Sequence, residues 1–312
     1  MAGGNERVVL AALGANLGIA ASKLAVGLTT GSTAMLAEAA HSFADSINQV
    51  FLLVSLRLSD NPADESHPYG YGKERFFWAF LAAVFIFVAG AFFSFYQGFD
   101  RLLHPHEHEG AFWPTYLVLG IAFAFDGTVF VIAIREVLGR AREQSIGAFE
   151  YLKRSSDVTL KTALYEDLAA TIGIVIAVIG VGLVQITGDS RYDAMASMAI
   201  GVVLIAVALM LGREARALLL GESAEDRVEA RIREQLLSHP DVMRIVELLT
   251  MQLGYNSVLV TGRIDLRNSL SAREVENLMS SLDSHVKDAV PSVRNIYLEP
   301  HAPGGSNQTE NE

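Results

Sequence analysis

Residues 31–49 read GSTAMLAEAAHSFADSINQ, an apolar stretch that nevertheless carries Glu38, His41 and Asp45, with Asn48 three residues further on. At 100° per residue, these four side chains fall on one face of a helix. An ionisable group in lipid costs on the order of 2.5–3.5 kcal/mol, so a membrane helix that carries several of them usually has a function for them. What the stretch means therefore depends on whether it crosses a membrane.

Composition points to a membrane. The chain has 312 residues, of which 51% are hydrophobic and only 19% are charged, whereas soluble domains are about a quarter charged. The net charge of −11 argues against nucleic acid as a partner. Cysteine is absent, which excludes disulfides, thiolate metal sites and cysteine nucleophiles.

Six segments are long and apolar enough to span a bilayer, which takes about 20 residues. The expected fold is an α-helical membrane protein with six transmembrane helices, followed by a small cytosolic α+β domain. The domains are predicted as 1–212 for the transmembrane part, 213–302 for the cytosolic domain and 303–312 for a disordered tail. The predicted spans are 8–28, 33–57, 76–102, 112–137, 159–186 and 193–212.

Lysine and arginine near the span ends predict the orientation, because they concentrate on the cytoplasmic side. With the N-terminus inside, only Arg101 and Arg191 lie outside. Both termini are therefore expected to be cytoplasmic, or on the equivalent inner side of an organelle membrane, and the expected location is a bacterial inner membrane. The inner side holds Arg7, Arg57, Lys73, Arg75, Arg135, Arg140, Arg142, Lys153, Arg154, Arg213 and Arg216.

The C-terminal segment has the periodicity of an αββαβ unit. Ser271 and Glu274 have the spacing of a capping box at the start of its second helix. Its His239, His285 and His301, together with Glu299, are interpreted as ordinary surface residues, and the unit is expected to serve dimerisation.

His41 and Asp45 at i, i+4 suit a divalent cation, because imidazole nitrogen and carboxylate oxygen are normal ligands of zinc and similar metals. Asp167 in the fifth span is the candidate third ligand, and Glu166, Asn48 or water is the candidate fourth. The alternative is a buried hydrogen-bond network that joins the helices.

The other intramembrane charges lie on the first, second and fourth spans. Glu38, and Asp126 of the fourth span, are candidates for a metal or proton path. A role in helix packing alone stays equally open for both. Lys23 of the first span is interpreted as snorkelling to the interface or balancing charge.

Residues 31–49, the preceding ANLGIAASKLAVGLTTGS, SHPYGYGKERF at 66–76 and YDAMASMAIGVVLI at 192–205 resemble the cation diffusion facilitator family. The resemblance covers nearly the whole chain. It implies a six-helix transport domain, a homodimer, a metallochaperone-like cytosolic tail, and export of Zn²⁺ or a related divalent cation in exchange for protons. It also implies a site between spans two and five, with His41, Asp45 and Asp167 as ligands.

The sequence departs from the family pattern at Ala163, where the family usually has His or Asp four residues before Asp167. The segment TALYEDLAATIG at 162–173 has Glu166 beside Asp167 instead, as in the branch that contains the mitochondrial-type zinc transporters. Glu166 lies about 100° round the helix from Asp167. It therefore reaches a water, a proton path or a second helix rather than replacing the lost ligand.

Four histidines in loops are peripheral metal candidates: His67 on the cytosolic side, and His104, His106 and His108 in the outer loop. The sequence contains no G-x-x-x-x-G-K-[ST] loop, so no nucleotide is expected.

Several alternatives remain at this point. Within the family, Mn²⁺, Fe²⁺ or Co²⁺ could replace Zn²⁺ as the substrate. Outside it, the candidates are a channel, an intramembrane hydrolase that activates metal-bound water, and a metal-binding sensor or scaffold without transport. A channel needs a continuous polar face, which the nearly apolar third and sixth spans do not supply.

Overall fold

The computed structural model describes residues 2–105, 111–155 and 157–301, and in these ranges the chain forms ten α-helices, one π-helical segment and three strands. The elements are α1 Ala2–Thr30, α2 Thr33–Ser59, α3 Glu74–Phe85, the π-helical segment Ile86–Phe92, α4 Phe93–Leu103, α5 Trp113–Glu143, α6 Ala148–Arg154, α7 Val158–Thr187, α8 Arg191–Leu220, α9 Asp226–Leu237, β1 Val242–Gly254, β2 Ser257–Leu266, α10 Ala272–Ala289 and β3 Val293–His301.

The chain divides into two compact units. The helical unit comprises Met1–Arg57, Phe76–Lys153 and Asp157–Arg216, and the C-terminal unit comprises Leu58–Arg75, Arg154–Ser156 and Ala217–Glu312. Helix α8 continues without a break to Leu220, through the predicted domain boundary after residue 212. The predicted disordered tail, 303–312, lies outside the described residues.

Four described helical stretches are long and apolar enough to cross a membrane: Glu74–Leu103, Trp113–Glu143, Leu160–Thr187 and Arg191–Leu220. They correspond to the third to sixth predicted spans. The count of six is not confirmed, because α1 and α2 are not among them. In α2 the polar residues that include Glu38, His41, Asp45 and Asn48 lower the mean hydropathy.

Small residues bring the helices of the helical unit close together. Ala34 and Ala37 of α2, Ala122 of α5 and Ala169 of α7 are buried in one cluster. Helices α4 and α8 approach so closely at Gly98 that a Cβ there would lie 2.6 Å from the Ala194 carbonyl oxygen. Such small-residue contacts are the usual way in which membrane helices pack.

The C-terminal unit confirms the predicted order of helix, two strands, helix and strand. Strands β1 and β2 form an antiparallel hairpin, and β3 adds to β2 in parallel. One face of the sheet is covered by α9 and α10, which contribute Ile232, Leu236, Leu278 and Leu282 to the core. The Ser271–Glu274 capping box is present at the start of α10, as predicted.

The loop 58–75, which contains the SHPYGYGKERF motif, packs within the C-terminal unit. A Cβ at Gly72 would lie 2.5 Å from the Leu253 carbonyl oxygen, so only glycine allows this backbone contact. The Arg75 guanidinium lies over the Tyr255 ring, 5.3 Å from its centroid. The motif is therefore a docking segment for the β1–β2 hairpin.

Candidate metal centre between α2 and α7

Helix α2 presents the predicted polar face to the protein interior. The His41 side chain is 1% exposed and that of Asp45 is 19% exposed. The two side chains approach within 3.5 Å, between Nδ1 of His41 and Oδ1 of Asp45. The i, i+4 spacing has therefore brought one nitrogen donor and one carboxylate together, as the sequence predicts.

The start of α2 is fixed by a carboxylate from another helix. Asp193 of α8 accepts hydrogen bonds from the hydroxyls of Ser32 and Thr33, both at 2.7 Å, and also from the backbone N–H groups of Thr33 and Ala34. These N–H groups belong to the first turn of α2, which has no partners for them within the helix. Asp193 thus caps α2 from outside and fixes the helix that carries His41.

The start of α7 is capped in a similar way. Asp157 accepts from the N–H of Leu160 at 3.1 Å, and its other oxygen accepts from Arg140 of α5 at 2.8 Å. One turn further, Lys161 of α7 binds Glu214 of α8 at 2.7 Å. Both helices that carry candidate ligands are therefore anchored at their N-terminal ends.

Glu166 reaches across to α2. The Asn48 side-chain amide donates to both Glu166 carboxylate oxygens at 2.6 Å. Of the three possibilities that the sequence left open, the described structure thus shows contact with a second helix. Ala163, the departure from the family pattern, is exposed and supplies no donor group.

Several buried polar atoms of this region have no hydrogen-bond partner. They are both ring nitrogens of His41, Oδ1 of Asp45, Oδ2 of Asp167 and Oε1 of Glu38. More than nine-tenths of buried polar groups in proteins are satisfied, so a local concentration of exceptions requires an explanation. Nitrogen and carboxylate atoms left without partners have the chemistry of a divalent-cation site.

Asp45 interacts electrostatically with carboxylates from two other helices: Glu166 and Asp167 of α7 and Asp126 of α5. Asp126 and Asp167 also interact with each other. The predicted second-, fourth- and fifth-span acids therefore share one electrostatic environment. Carboxyl groups from three helices that share one environment have the chemistry to bind a cation.

The predicted ligands do not form a closed site. Within the described residues, no three His, Asp or Glu side chains are placed so that they could hold one metal ion. His41 and Asp45 lie side by side, whereas the Asp167 carboxylate is not placed to share one metal ion with them.

Lys23 of α1 does not snorkel. Its side chain is fully buried, and its ammonium nitrogen lies 2.9 Å from Oε2 of Glu38 and 2.8 Å from Oγ of Ser42. The snorkelling interpretation is therefore wrong, because the buried carboxylate is a better partner for the ammonium than a distant interface. The charge-balancing interpretation is the one that the ion pair supports.

His67 lies in a small hydrogen-bonded cluster with Asp64 and Tyr71. Asp64 accepts from the Tyr71 hydroxyl and from the backbone N–H of His67, both at 2.7 Å. These hydrogen bonds, chiefly the one from Tyr71, hold the pKa of the Asp64 carboxyl below its ordinary value. The same bond raises the pKa of Tyr71.

The other peripheral histidines gain little support. His104 is exposed and lies 3.4 Å from Asp100, while His106 and His108 lie outside the described residues. In the C-terminal unit, Nδ1 of His239 accepts from the backbone N–H of Asp241 at 3.3 Å and lies 3.9 Å from the Asp241 carboxylate.

Sequence reasoning missed two residues that shape the centre. Asp193 lies within a motif that the sequence brought to attention, but nothing in the motif indicated that it caps another helix. Gly173 of α7 lies against Glu38, and a Cβ there would clash with Oε1 of Glu38. Both residues contact a different helix, so their roles depend on helix packing, which the sequence does not show.

The fold and this region define a helical membrane-type protein with a polar, cation-attracting centre, and sequence comparison agrees. Residues 9–220 match the family model described as the cation efflux transmembrane domain. The chain belongs to the cation efflux, or cation diffusion facilitator, family of divalent-metal transporters, which are not enzymes.

Two relatives illustrate the relationship. The mitochondrial proton-coupled zinc antiporter SLC30A9 of Xenopus laevis is 31% identical over 83% of this chain and 47% of its own length. Metal tolerance protein C4 of Arabidopsis thaliana is 30% identical over 85% of this chain and 58% of its own length. The chain thus spans about half the length of these curated relatives, and it is close to the mitochondrial-type branch.

A solved C-terminal domain of MamM is similar to one quarter of the chain and to 96% of that domain, with a TM-score of 0.24 and 14% identity.

Proposed function

We propose that this chain exports a divalent cation, Zn²⁺ before others, from the cytosol in exchange for protons, through a site between α2 and α7. The unpartnered atoms of His41, Asp45 and Asp167 carry the proposal. Buried nitrogen and oxygen atoms without hydrogen bonds cost folding free energy, and a bound metal ion would offset that cost.

The proposed ligands are His41, Asp45 and Asp167. They would close on one ion when α2 and α7 move together, because in the described arrangement only the first two are adjacent. Glu166, held by Asn48, is proposed as an additional oxygen ligand or a proton carrier. A site of three or four N/O donors without thiolate suits release as well as binding.

Proton exchange would follow from the chemistry of the ligands. Metal binding needs a neutral imidazole and ionised carboxylates, so it releases protons. Protons that enter from the opposite side would compete with the metal and reset the ligands. Alternating exposure of the same site to the two sides then gives antiport without a nucleotide.

Zinc is proposed as the substrate on two grounds. Imidazole with carboxylate is a normal zinc ligand set, and the SLC30A9 relatives are named as proton-coupled zinc antiporters. Mn²⁺, Fe²⁺ and Co²⁺ are the alternatives, because the same ligand types also bind them.

We propose that α1 and α2 also cross the membrane, giving six spans with both termini on the cytoplasmic side of a bacterial inner membrane. The distribution of lysine and arginine supports this orientation, and the match to bacterial cation-efflux pumps such as that of Shewanella oneidensis supports the location. Residues 213–302 would then lie in the cytosol.

A homodimer is proposed through the open face of the C-terminal sheet. Leu249, Thr261 and Tyr297 are paired across the three strands, and Leu249 and Tyr297 are more than half exposed. Exposed Leu and Tyr side chains on the sheet face that α9 and α10 leave open suit a second copy. Leu249→Asp should convert a dimer in detergent to a monomer by mass photometry, whereas an unchanged mass would contradict this interface.

The transport claim is tested in proteoliposomes that contain the full chain and a zinc-responsive dye. An imposed pH gradient should drive Zn²⁺ flux, and flux should stop when the gradient is collapsed. Competition by Mn²⁺, Fe²⁺, Co²⁺ and Cd²⁺ would give the order of preference. Metal binding without any flux would contradict the proposal and favour a sensor or scaffold.

A further inference from the structure

The buried ion pair between α1 and α2 has no role in the mechanism above. Lys23 and Glu38 are each 0% exposed, with 2.9 Å between Nζ and Oε2. Desolvation of two charges offsets much or all of their attraction, so a buried pair is weak evidence for a stabilising role. A functional role therefore explains the pair better than a contribution to stability does.

The position of the pair relates it to the metal centre. Glu38 lies one helical turn before His41 on the same face of α2, and the Lys23 ammonium also binds Oγ of Ser42, the residue after His41. Lys23 interacts electrostatically with His41 and Asp45. The ammonium is thus a fixed positive charge within the electrostatic range of the proposed ligands.

Glu38 has unused capacity as a ligand. Oε1 is buried without a hydrogen-bond partner and lies against α7 where residue 173 is glycine. Only Oε2 is engaged, by Lys23. Without the ammonium, a carboxyl group one turn from His41 would be free to bind a cation.

We propose that Lys23 is a specificity-determining residue, which keeps Glu38 out of the metal's ligand set and so favours Zn²⁺ over harder cations. Zinc accepts four ligands that include imidazole. Carboxylate-rich sites with more oxygen ligands suit Mn²⁺ better. The inference rests on the proposed function, because it concerns the metal preference of that same site.

The test compares Mn²⁺ and Zn²⁺ in wild type, Lys23→Met, Glu38→Gln and the double variant, all as the full chain. Flux is measured in proteoliposomes, and equilibrium binding by calorimetry in detergent. Lys23→Met should raise the ratio of Mn²⁺ to Zn²⁺ flux and affinity by about fivefold or more, because an extra carboxylate becomes available. The double variant should return the ratio to the wild-type value, because the freed carboxylate is gone.

Glu38→Gln should weaken binding of both metals by a similar factor, because it leaves an uncompensated ammonium beside the site. Lys161→Met is the matched control: it breaks another little-exposed lysine–glutamate pair, with Glu214, without freeing a carboxylate on the face of His41. It should lower thermal stability and leave the metal ratio unchanged.

An unchanged ratio in Lys23→Met would overturn the inference, as would an equal rise in the double variant. If Lys23→Met does not fold, Lys23→Gln, which keeps a donor and removes the charge, takes its place. If neither folds while the double variant folds with the wild-type ratio, the pair serves helix packing alone. Absence of flux in wild type would instead contradict the proposed function, and the binding ratios would still decide this inference.

Discussion

At the scale of single residues, Ala163 and Glu166 define how this chain departs from its family. Ala163 has no donor group, and Glu166 is held by Asn48 through two hydrogen bonds of 2.6 Å. A carboxylate restored at 163 would lie one turn before Asp167, at the i, i+4 spacing that lets two side chains share an ion. An aspartate at position 163 would therefore supply the ligand that Ala163 does not.

Ala163→Asp should tighten Zn²⁺ binding by about tenfold, which corresponds to about 1.4 kcal/mol. Calorimetry on the detergent-solubilised chain measures the change. Ala163→Asn is the control, since it has the same shape without the charge and should leave the affinity near that of wild type. Equal affinities of the Asp and Asn variants would show that position 163 does not face the metal.

Residue types and spacing were enough to predict His41 with Asp45, because both lie on one helix and local geometry determines their distance. The Asn48–Glu166 and Lys23–Glu38 contacts were not predictable in the same way. They join different helices, and their existence depends on how α1, α2 and α7 pack. Lys23 shows the limit clearly, since the sequence left snorkelling and charge balance both open, and its actual partner, Glu38, is buried.

At the scale of elements, the two helices that carry the proposed ligands are capped by aspartates. Asp193 reaches α2 from α8, and Arg101 of α4 binds the Gly31 carbonyl oxygen at 2.7 Å in the turn before α2. Gly31 has φ of 70°, a left-handed conformation that favours glycine. The turn 31–32 between α1 and α2 is thus fixed by its backbone and by two neighbouring helices.

Asp193→Ala should lower stability by roughly 1–2 kcal/mol, as the loss of a helix cap usually does, and should reduce transport because α2 loses its anchor. Thermal unfolding in detergent, followed by flux, measures both effects. Asp189→Ala is the matched control: it removes an exposed aspartate that accepts from the N–H of Arg191 only two residues away. A loss no greater in Asp193→Ala than in this control would contradict the cap's importance.

The elements of the C-terminal unit were predictable in kind and order, since alternating apolar residues and a capping box are local signals. The helical unit was harder to count. Polar residues in α2 reduce the very hydropathy by which spans are recognised, so this helix, which carries two of the three proposed ligands, is not among the apolar spans.

At the scale of the whole molecule, the helical unit has the surface of a protein in lipid. Only 17% of the residues in the most apolar part of Trp113–Glu143 are buried. Its Ile121, Phe123 and Ile132 side chains are exposed. The C-terminal unit is different, with a closed core under one face of its sheet. The loop 58–75, which follows α2, belongs to this second unit.

The loop is expected to open in acid. Folding lowers the pKa of Asp64, chiefly through the Tyr71 hydroxyl, so its contribution to stability is present above its ordinary pKa and is lost as pH falls through the lowered value. Tyr71→Phe should move the midpoint of opening to higher pH. Pepsin cleavage of the loop in the full chain, measured across a pH series, reports the midpoint.

Tyr69→Phe is the control for this experiment, because Tyr69 lies in the same loop with a half-exposed ring and its hydroxyl is not the one that binds Asp64. It should leave the midpoint where it is in wild type. A midpoint that Tyr71→Phe does not raise would contradict the role given to this hydrogen bond.

The central claim is that Asp167 of α7 joins His41 and Asp45 of α2 to carry the metal. Its most direct test is the Zn²⁺ flux of Asp167→Ala and Glu166→Ala proteoliposomes under one pH gradient. Asp167→Ala should abolish flux, and Glu166→Ala should reduce it while leaving it measurable. Wild-type flux in Asp167→Ala, together with no flux in Glu166→Ala, would contradict the ligand assignment.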